Sequence, residues 1–498
     1  GYGAGLGTPI GALTLSGDIA IVADSVTLQG GSGADAYAQI GNGGFQAAAS
    51  ATSSGGIVIG GAIRVSASGG NVALTGGTSG NSYAQIGQGG AQAAAGAIAT
   101  TGGISIGGDI AVAMSGGTLS LTDGSSYAAI GNGDSSLPSN SNVSGDIAIE
   151  APAEMSLTAS VPAGAIIGNM LGAGTGSGSA VLSAGTISSS SGVRPGEYDI
   201  QNDLAYGDVE IDVLDGSLAI ESPLSGRGNL FLLASGALST PRDSGGPSID
   251  TAGDVTLIGG SVTLNGTVSG RDVVVGGVGD TTSISTRAIT ANADGGSILL
   301  LTENNGTINL GGPLATNNGA IEILAGVTGT STTGRSTVSE NCSCTPISTG
   351  GGDLLIAAQG PSGSINFADP LTLTGPTTIE AATINVQTIN PNGYSLTEAE
   401  ANPNLPPSPP QGTVPQTTVN DASTSLQTLS PTSTLPGSYN GPLPPPNEED
   451  VSLTPTQILI PSPPFFAPVT VSVLPPPGIS TFMLFNIGSG GPSAGGLT

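Results

Sequence analysis

Apolar and polar residues alternate in short phrases along most of this chain. Gly17-Asp18-Ile19-Ala20-Ile21, Gly108-Asp109-Ile110-Ala111-Val112 and Gly145-Asp146-Ile147-Ala148-Ile149 each open on Gly-Asp and then make every second residue apolar. Second phrases such as Ser25-Val26-Thr27-Leu28 and Thr118-Leu119-Ser120-Leu121 follow. Alternation bounded by Gly, Asn and Asp predicts short strands joined by turns, and helix periodicity is hard to find. The same grammar continues through Gly253-Asp254-Val255-Thr256-Leu257, Ser297-Ile298-Leu299-Leu300-Leu301 and Asp353-Leu354-Leu355-Ile356. A closed sandwich would not repeat one phrase length over roughly 370 residues, whereas a parallel β-helix adds one rung per coil without limit. The predicted fold is all-β, a parallel β-helix.

A longer period is written over the first third. Tyr37-Ala38-Gln39-Ile40-Gly41-Asn42-Gly43-Gly44 returns as Tyr83-Ala84-Gln85-Ile86-Gly87-Gln88-Gly89-Gly90 and as Tyr127-Ala128-Ala129-Ile130-Gly131-Asn132-Gly133-Asp134. The tyrosines lie 46 and 44 residues apart, and Ala165-Ile166-Ile167-Gly168-Asn169 reads as a worn fourth copy. A fixed period of this length means stacked units, each burying its apolar face against its neighbours. With a coil of roughly 20 residues, the phrase would mark every second rung, and residues 1–390 would build a rod on the order of 90 Å. Tyr37, Tyr83 and Tyr127 would then form a ladder above an inner ladder of Ile40, Ile86 and Ile130. An exposed aromatic row that binds sugars is the competing reading.

Composition divides the chain into four stretches. Residues 1–185 carry the repeat of about 45 residues, and 186–390 continue the β-helix with irregular loops. Residues 391–454 form a Pro-rich linker, and 455–498 an apolar extended segment; from residue 391 onward lie 22 of the 35 prolines. Proline cannot donate to a strand ladder, so central strands should stop there. Yet Phe465, Phe466, Val469, Val471, Val473, Phe482, Leu484, Phe485 and Ile487 crowd the end of the chain. A flexible linker has no use for them, so they are candidate contacts that either cap this solenoid or join a neighbouring subunit.

The chemistry available is narrow. Only 8% of residues are charged, the net charge is −28, all seven basic residues are Arg, and His and Lys are absent. Nothing could neutralise nucleic-acid phosphates. Ser-His-Asp, Cys-His and Lys-based nucleophilic schemes are unavailable, and the carboxylates are scattered, many in Gly-Asp turns. No catalytic site and no cofactor are therefore expected. Ca²⁺ is the metal best matched to carboxylate and carbonyl oxygens, although the tandem nonapeptide of calcium-binding rolls is missing. Cys342 and Cys344, the only cysteines, suit a local disulfide or two loop thiols as well as a metal. No apolar run is long enough to span a membrane. Starting at Gly1, the chain reads as a product or fragment of a longer precursor.

The Gly-Asp-Val-Thr-Leu phrase with the following Val-Thr-Leu-Asn-Gly (253–266), together with the tyrosine phrase (37–44), resembles the filamentous haemagglutinin-type exoproteins of Gram-negative bacteria. That resemblance implies two-partner secretion, a right-handed helix, an extracellular or cell-surface location, and a role in adhesion or biofilm matrix. The family's secretion-domain motifs are matched by Asn390-Pro391-Asn392-Gly393 and Asn402-Pro403-Asn404-Leu405, but at the far end of the solenoid, where ordinary turns account for them. Two functions follow as expectations. One is an extracellular filament of self-associating β-helical subunits joined by their tails. The other is a monomeric adhesin that binds a cell surface or polysaccharide through a loop insertion such as Ser135–Ser144 or Thr328–Thr349.

Overall fold

The computed structural model describes residues 11–158, 164–189, 207–220, 223–243, 246–279, 282–303, 305–326, 335–340, 347–360, 362–399 and 471–473. Every element among them is a strand, and the ladders are parallel. The chain winds as a parallel β-helix whose longest sheet takes a strand from each turn. In order these are Ile19–Ala23, Ile63–Ala67, Ile110–Met114, Ile147–Thr158, Ala180–Ser189, Val209–Val213 and Leu230–Ser239. Val255–Thr263, Val273–Gly277, Ile298–Thr302, Ile321–Ala325, Leu354–Ala358, Thr377–Ala381 and Leu396–Ala399 complete the series. We number these turns coils 1 to 14.

Alternation makes the core. In a strand successive side chains point to opposite faces, so residues paired in register stack into columns. Ile19, Ile63, Ile110 and Ile147 form one inward column, continued by Ala180, Val209, Leu230, Val255, Val273 and Ile298. A single apolar core runs from Val26 near the start to Ala381 near the end. β-Branched and leucine side chains suit this interior because each packs on its own counterpart about 4.8 Å away.

The long repeat corrects the expected geometry. Ile19 pairs with Ile63 and Ile63 with Ile110, so one repeat is one coil and the tyrosine phrase marks every rung. The early coils hold more residues because they turn more corners. Besides the long sheet they pass through a second sheet (Leu13–Ser16, Ile57–Gly60, Ile104–Gly107) and a third (Ala38–Ile40, Ala84–Ile86, Ala128–Ile130). Later coils are lean: Val255 pairs with Val273, and Val273 with Ile298. Thirteen rises between fourteen rungs give a rod of about 60 Å, shorter than the expected 90 Å.

The winding also runs past residue 390. The Asn390-Pro391-Asn392-Gly393 sequence is a turn into the last coil. Asn390 Nδ2 donates to Tyr394 O (2.7 Å), Tyr394 N–H donates to Asn390 Oδ1 (2.8 Å), and Gly393 takes a left-handed φ of 69°. The Asn402-Pro403-Asn404-Leu405 sequence lies outside the described residues.

Candidate functional site

The tyrosine phrase builds a corner in which each residue contacts its equivalent in the next coil. Tyr37, Tyr83 and Tyr127 stack with ring centroids 5.0 Å apart at both steps. Tyr83 is fully buried and Tyr127 nearly so, while Tyr37, at the end of the stack, is half-buried. Tyr83 Oη donates to Gln39 Oε1 (3.1 Å), and Tyr127 Oη to Gln85 Oε1 (3.4 Å). The glutamine amides donate onward to the next coil, Gln39 Nε2 to Gly87 O (2.8 Å) and Gln85 Nε2 to Gly131 O (2.8 Å). Burial pushes the hydroxyl pKa of Tyr83 and Tyr127 well above the phenolic range. Rings enclosed this way offer no row of faces to a sugar. Ile86 and Ile130 point inward beside them and are fully buried, and Ile40 is half-buried at the end coil.

The rest of the phrase is a clamp. Asn42 N–H donates to Gln88 Oε1 (2.6 Å), Gln88 N–H to Asn132 Oδ1 (2.9 Å) and Asn132 N–H to Asn169 Oδ1 (3.2 Å). The amide nitrogens of these side chains satisfy corner carbonyls, as Asn42 Nδ2 does for Gly17 O (2.7 Å) and Gly60 O (2.8 Å). Glycine is required at the bend: a Cβ on Gly87 would stand 1.8 Å from Gly131 O. The worn copy at 165–169 occupies the fourth rung, with Ala165 paired to Ala128 and Ile167 to Ile130.

Gly-Asp carboxylates cap strands. Asp18 Oδ1 accepts Ala62 N–H (2.7 Å), Asp146 Oδ1 accepts Ser179 N–H (2.8 Å), and Asp208 Oδ1 accepts Asn229 N–H (2.8 Å). Each satisfies a backbone donor of the next coil, a structural duty for groups that acid–base chemistry would need free. Among the described residues, no three carboxylate or thiol groups gather as a metal would require. Cys342 and Cys344 lie outside the described residues.

The outward side of the long sheet divides in two. On coils 1 to 4 it carries Ala20, Val22, Ser66, Ala113 and Glu150, all exposed, Val22 at 61%, and on coil 5 the half-buried Val181 and Ser183. On coils 7 to 12 the positions in register with them carry Leu233, Ile258, Val274, Leu299, Leu301 and Leu355, none more than 6% exposed. These side chains form a second apolar cluster, separate from the interior and on the opposite face of the same strands. Glu322 is fully buried in the middle of it. Coil 6 marks the boundary with Glu210 and Asp212, 6% and 4% exposed. Burial raises both carboxyl pKa values, Glu210 to about 7 and Asp212 to about 8, the Glu210 charge adding to the latter. The pair is held partly protonated at neutral pH. Unbroken runs such as Leu299-Leu300-Leu301 and Leu354-Leu355-Ile356 were the available signal, because strands buried on both faces lose their alternation.

One tail segment is described. Val471–Val473 pairs in parallel with Val26–Leu28 of coil 1, on the edge opposite the one that Val72–Thr75 of coil 2 occupies. This places Val471 and Val473 at the N-terminal end of the rod. Phe465, Phe466, Val469, Phe482, Leu484, Phe485 and Ile487 lie outside the described residues. Of the two candidate loop insertions, Ser135–Ser144 folds into the rod. Leu137 is buried, and Ser141–Ser144 pairs with Ile104–Gly107. Most of Thr328–Thr349 lies outside the described residues, which include strands Thr337–Glu340 and Ile347–Ser348.

No helix among the described residues is long and apolar enough to cross a membrane. No family model matches the chain, and no curated protein or solved structure matches it either.

Proposed function

We propose that this chain is a structural subunit of an extracellular filament, a β-helical rod that joins its neighbour through its C-terminal tail. The observation that carries this reading is the parallel pairing of Val471–Val473 with Val26–Leu28. A parallel sheet edge is a template for another strand, and the tail supplies one. The resemblance to filamentous haemagglutinin-type exoproteins supports export to the surface of a Gram-negative bacterium. The rod is assigned no catalytic role, in keeping with carboxylates that cap strands.

The same strand closes its own edge in the single chain. Ala399 and Val471 are separated by 71 residues, so the tail strand is tethered to its own rod. Its effective concentration is on the order of millimolar, so joining between copies should be slow and steeply concentration-dependent. Electron microscopy of the full chain at rising concentration, beside a chain lacking 455–498, tests the proposal. Filaments from the full chain alone are expected; equal filaments from both would overturn the role of the tail.

A further inference from the structure

The outward cluster on coils 7 to 12 is dry, although its apolar members are its own columns, with Ala320 and Val278 at the margins. Leu299 and Leu301 at 1% exposure on the outside of a rod require a cover. We infer that this face is the docking groove of the chain's own C-terminal segment, with Phe482–Ile487 as the anchor. It serves as a second attachment point beyond the Val471–Val473 strand. Three observations lead there.

The first is reach. With Val471–Val473 one rung beyond coil 1, coil 7 lies about 34 Å away along the rod and coil 12 about 58 Å. Leu484 follows Val473 by 11 residues and Ile487 by 14, which in extended form cover about 36 and 46 Å. Pro475-Pro476-Pro477 stiffens the path between them. Phe482-Met483-Leu484-Phe485-Asn486-Ile487 can therefore reach as far as coils 6 to 10, where Gly276 leaves a gap in the outer column between Ile258 and Leu301.

The second is charge. The last charged residue of the chain is Asp450, so the segment brings no charge onto a face that excludes water. The insertion at 190–206, another long segment near coil 6, carries Glu197, Asp199 and Asp203 against the single Arg194. It would set further carboxylates beside Glu210 and Asp212.

The third is selectivity along the rod. The apolar outer face begins at coil 7, within this reach, and continues to coil 12; on coils 1 to 4, which the segment must pass, the outer residues Ala20, Val22, Ser66, Ala113 and Glu150 are exposed. The docking holds whether the tail belongs to the same chain or to a neighbour, so it stands apart from the filament reading.

Cross-linking tests it on the full chain. In a Cys342→Ser, Cys344→Ser background, Thr256→Cys on the outer column is paired with Leu484→Cys and treated with a short bis-maleimide. Efficient cross-linking of 256 to 484, within or between chains, is the expected result. Cross-linking of 256 to an Ile200→Cys variant instead, or to neither, overturns the assignment. A further readout is a chain ending at Ser480, which keeps the Val471–Val473 strand. Its fluorescence with an apolar dye should rise several-fold while its β circular dichroism is unchanged; an unchanged dye signal overturns the inference.

Discussion

Coils 1 to 5 and coils 7 to 12 share a sheet, a register and an interior, yet are held together differently. The early coils are wide, and their special feature is a corner. Stacked tyrosines, glutamine clamps and an amide ladder tie each coil to the next through hydrogen bonds at fixed positions. Their outer sheet face is left to water. The later coils are lean, without the tyrosine phrase, and their outer sheet face is apolar and dry. The difference teaches that a solenoid can stabilise its rungs through polar ladders that specify one stacking partner, or through a second apolar layer that needs a cover.

Matched substitutions on the two outer faces should give the largest contrast. Leu233 and Val22 occupy the same outward column, but Leu233 is fully buried and Val22 exposed. Leu233→Asp is expected to cost about 4 kcal/mol or more, and Val22→Asp within about 0.5 kcal/mol, as read from denaturant unfolding. Equal effects would erase the distinction between the faces. At the tyrosine corner, Tyr83→Ala removes both ring stacks and should cost about 3–5 kcal/mol, lost from the early coils. Hydrogen exchange that loosens coils 1 to 3 while sparing coils 9 to 12 would confirm that the ladders act locally.

The boundary carboxyls should respond to pH. Folding raises the pKa of Glu210 and Asp212 above their unfolded values, so their neutral forms fit the folded state. The stability they allow is complete below about pH 4 and is lost progressively as pH climbs to about 8. The double variant Glu210→Gln, Asp212→Asn should flatten that slope in thermal melts between pH 4 and 8. A slope that survives would move the effect elsewhere. The smallest change is expected of Tyr83→Phe, which keeps the stack and deletes one hydrogen bond to Gln39, about 1 kcal/mol in chemical denaturation.

Residue by residue, the sequence was most legible where its own period matched a local rule. Ile19-Ala20-Ile21 reads as a half-buried strand because side chains alternate whatever the partner, and the glycines of the tyrosine phrase read as tight bends. The repeat itself announced stacking. Its period of 44 to 46 residues fixes the distance to the next equivalent residue and not the number of corners in between, so the coil size is not legible from it. The outer cluster was passed over for a similar reason. Leu299-Leu300-Leu301 shows that both faces are apolar, but not that its outward side meets Val274 and Leu324 of adjacent coils.

By itself, then, the amino-acid sequence determined that this protein is all-β, that its strands stack in a long series, and that its basic residues are seven arginines without lysine or histidine. Those properties follow from local alternation, a repeated phrase and composition, none of which depends on distant contacts. Only the tertiary structure decided that one repeat closes one coil, that the tyrosines are enclosed, and that one half of the rod has a dry outer face. Each of those depends on which strands lie side by side, and from coil to coil along the long sheet the paired residues are 18 to 47 positions apart. At that separation no local pattern fixes the pairing; the matching of whole apolar columns does.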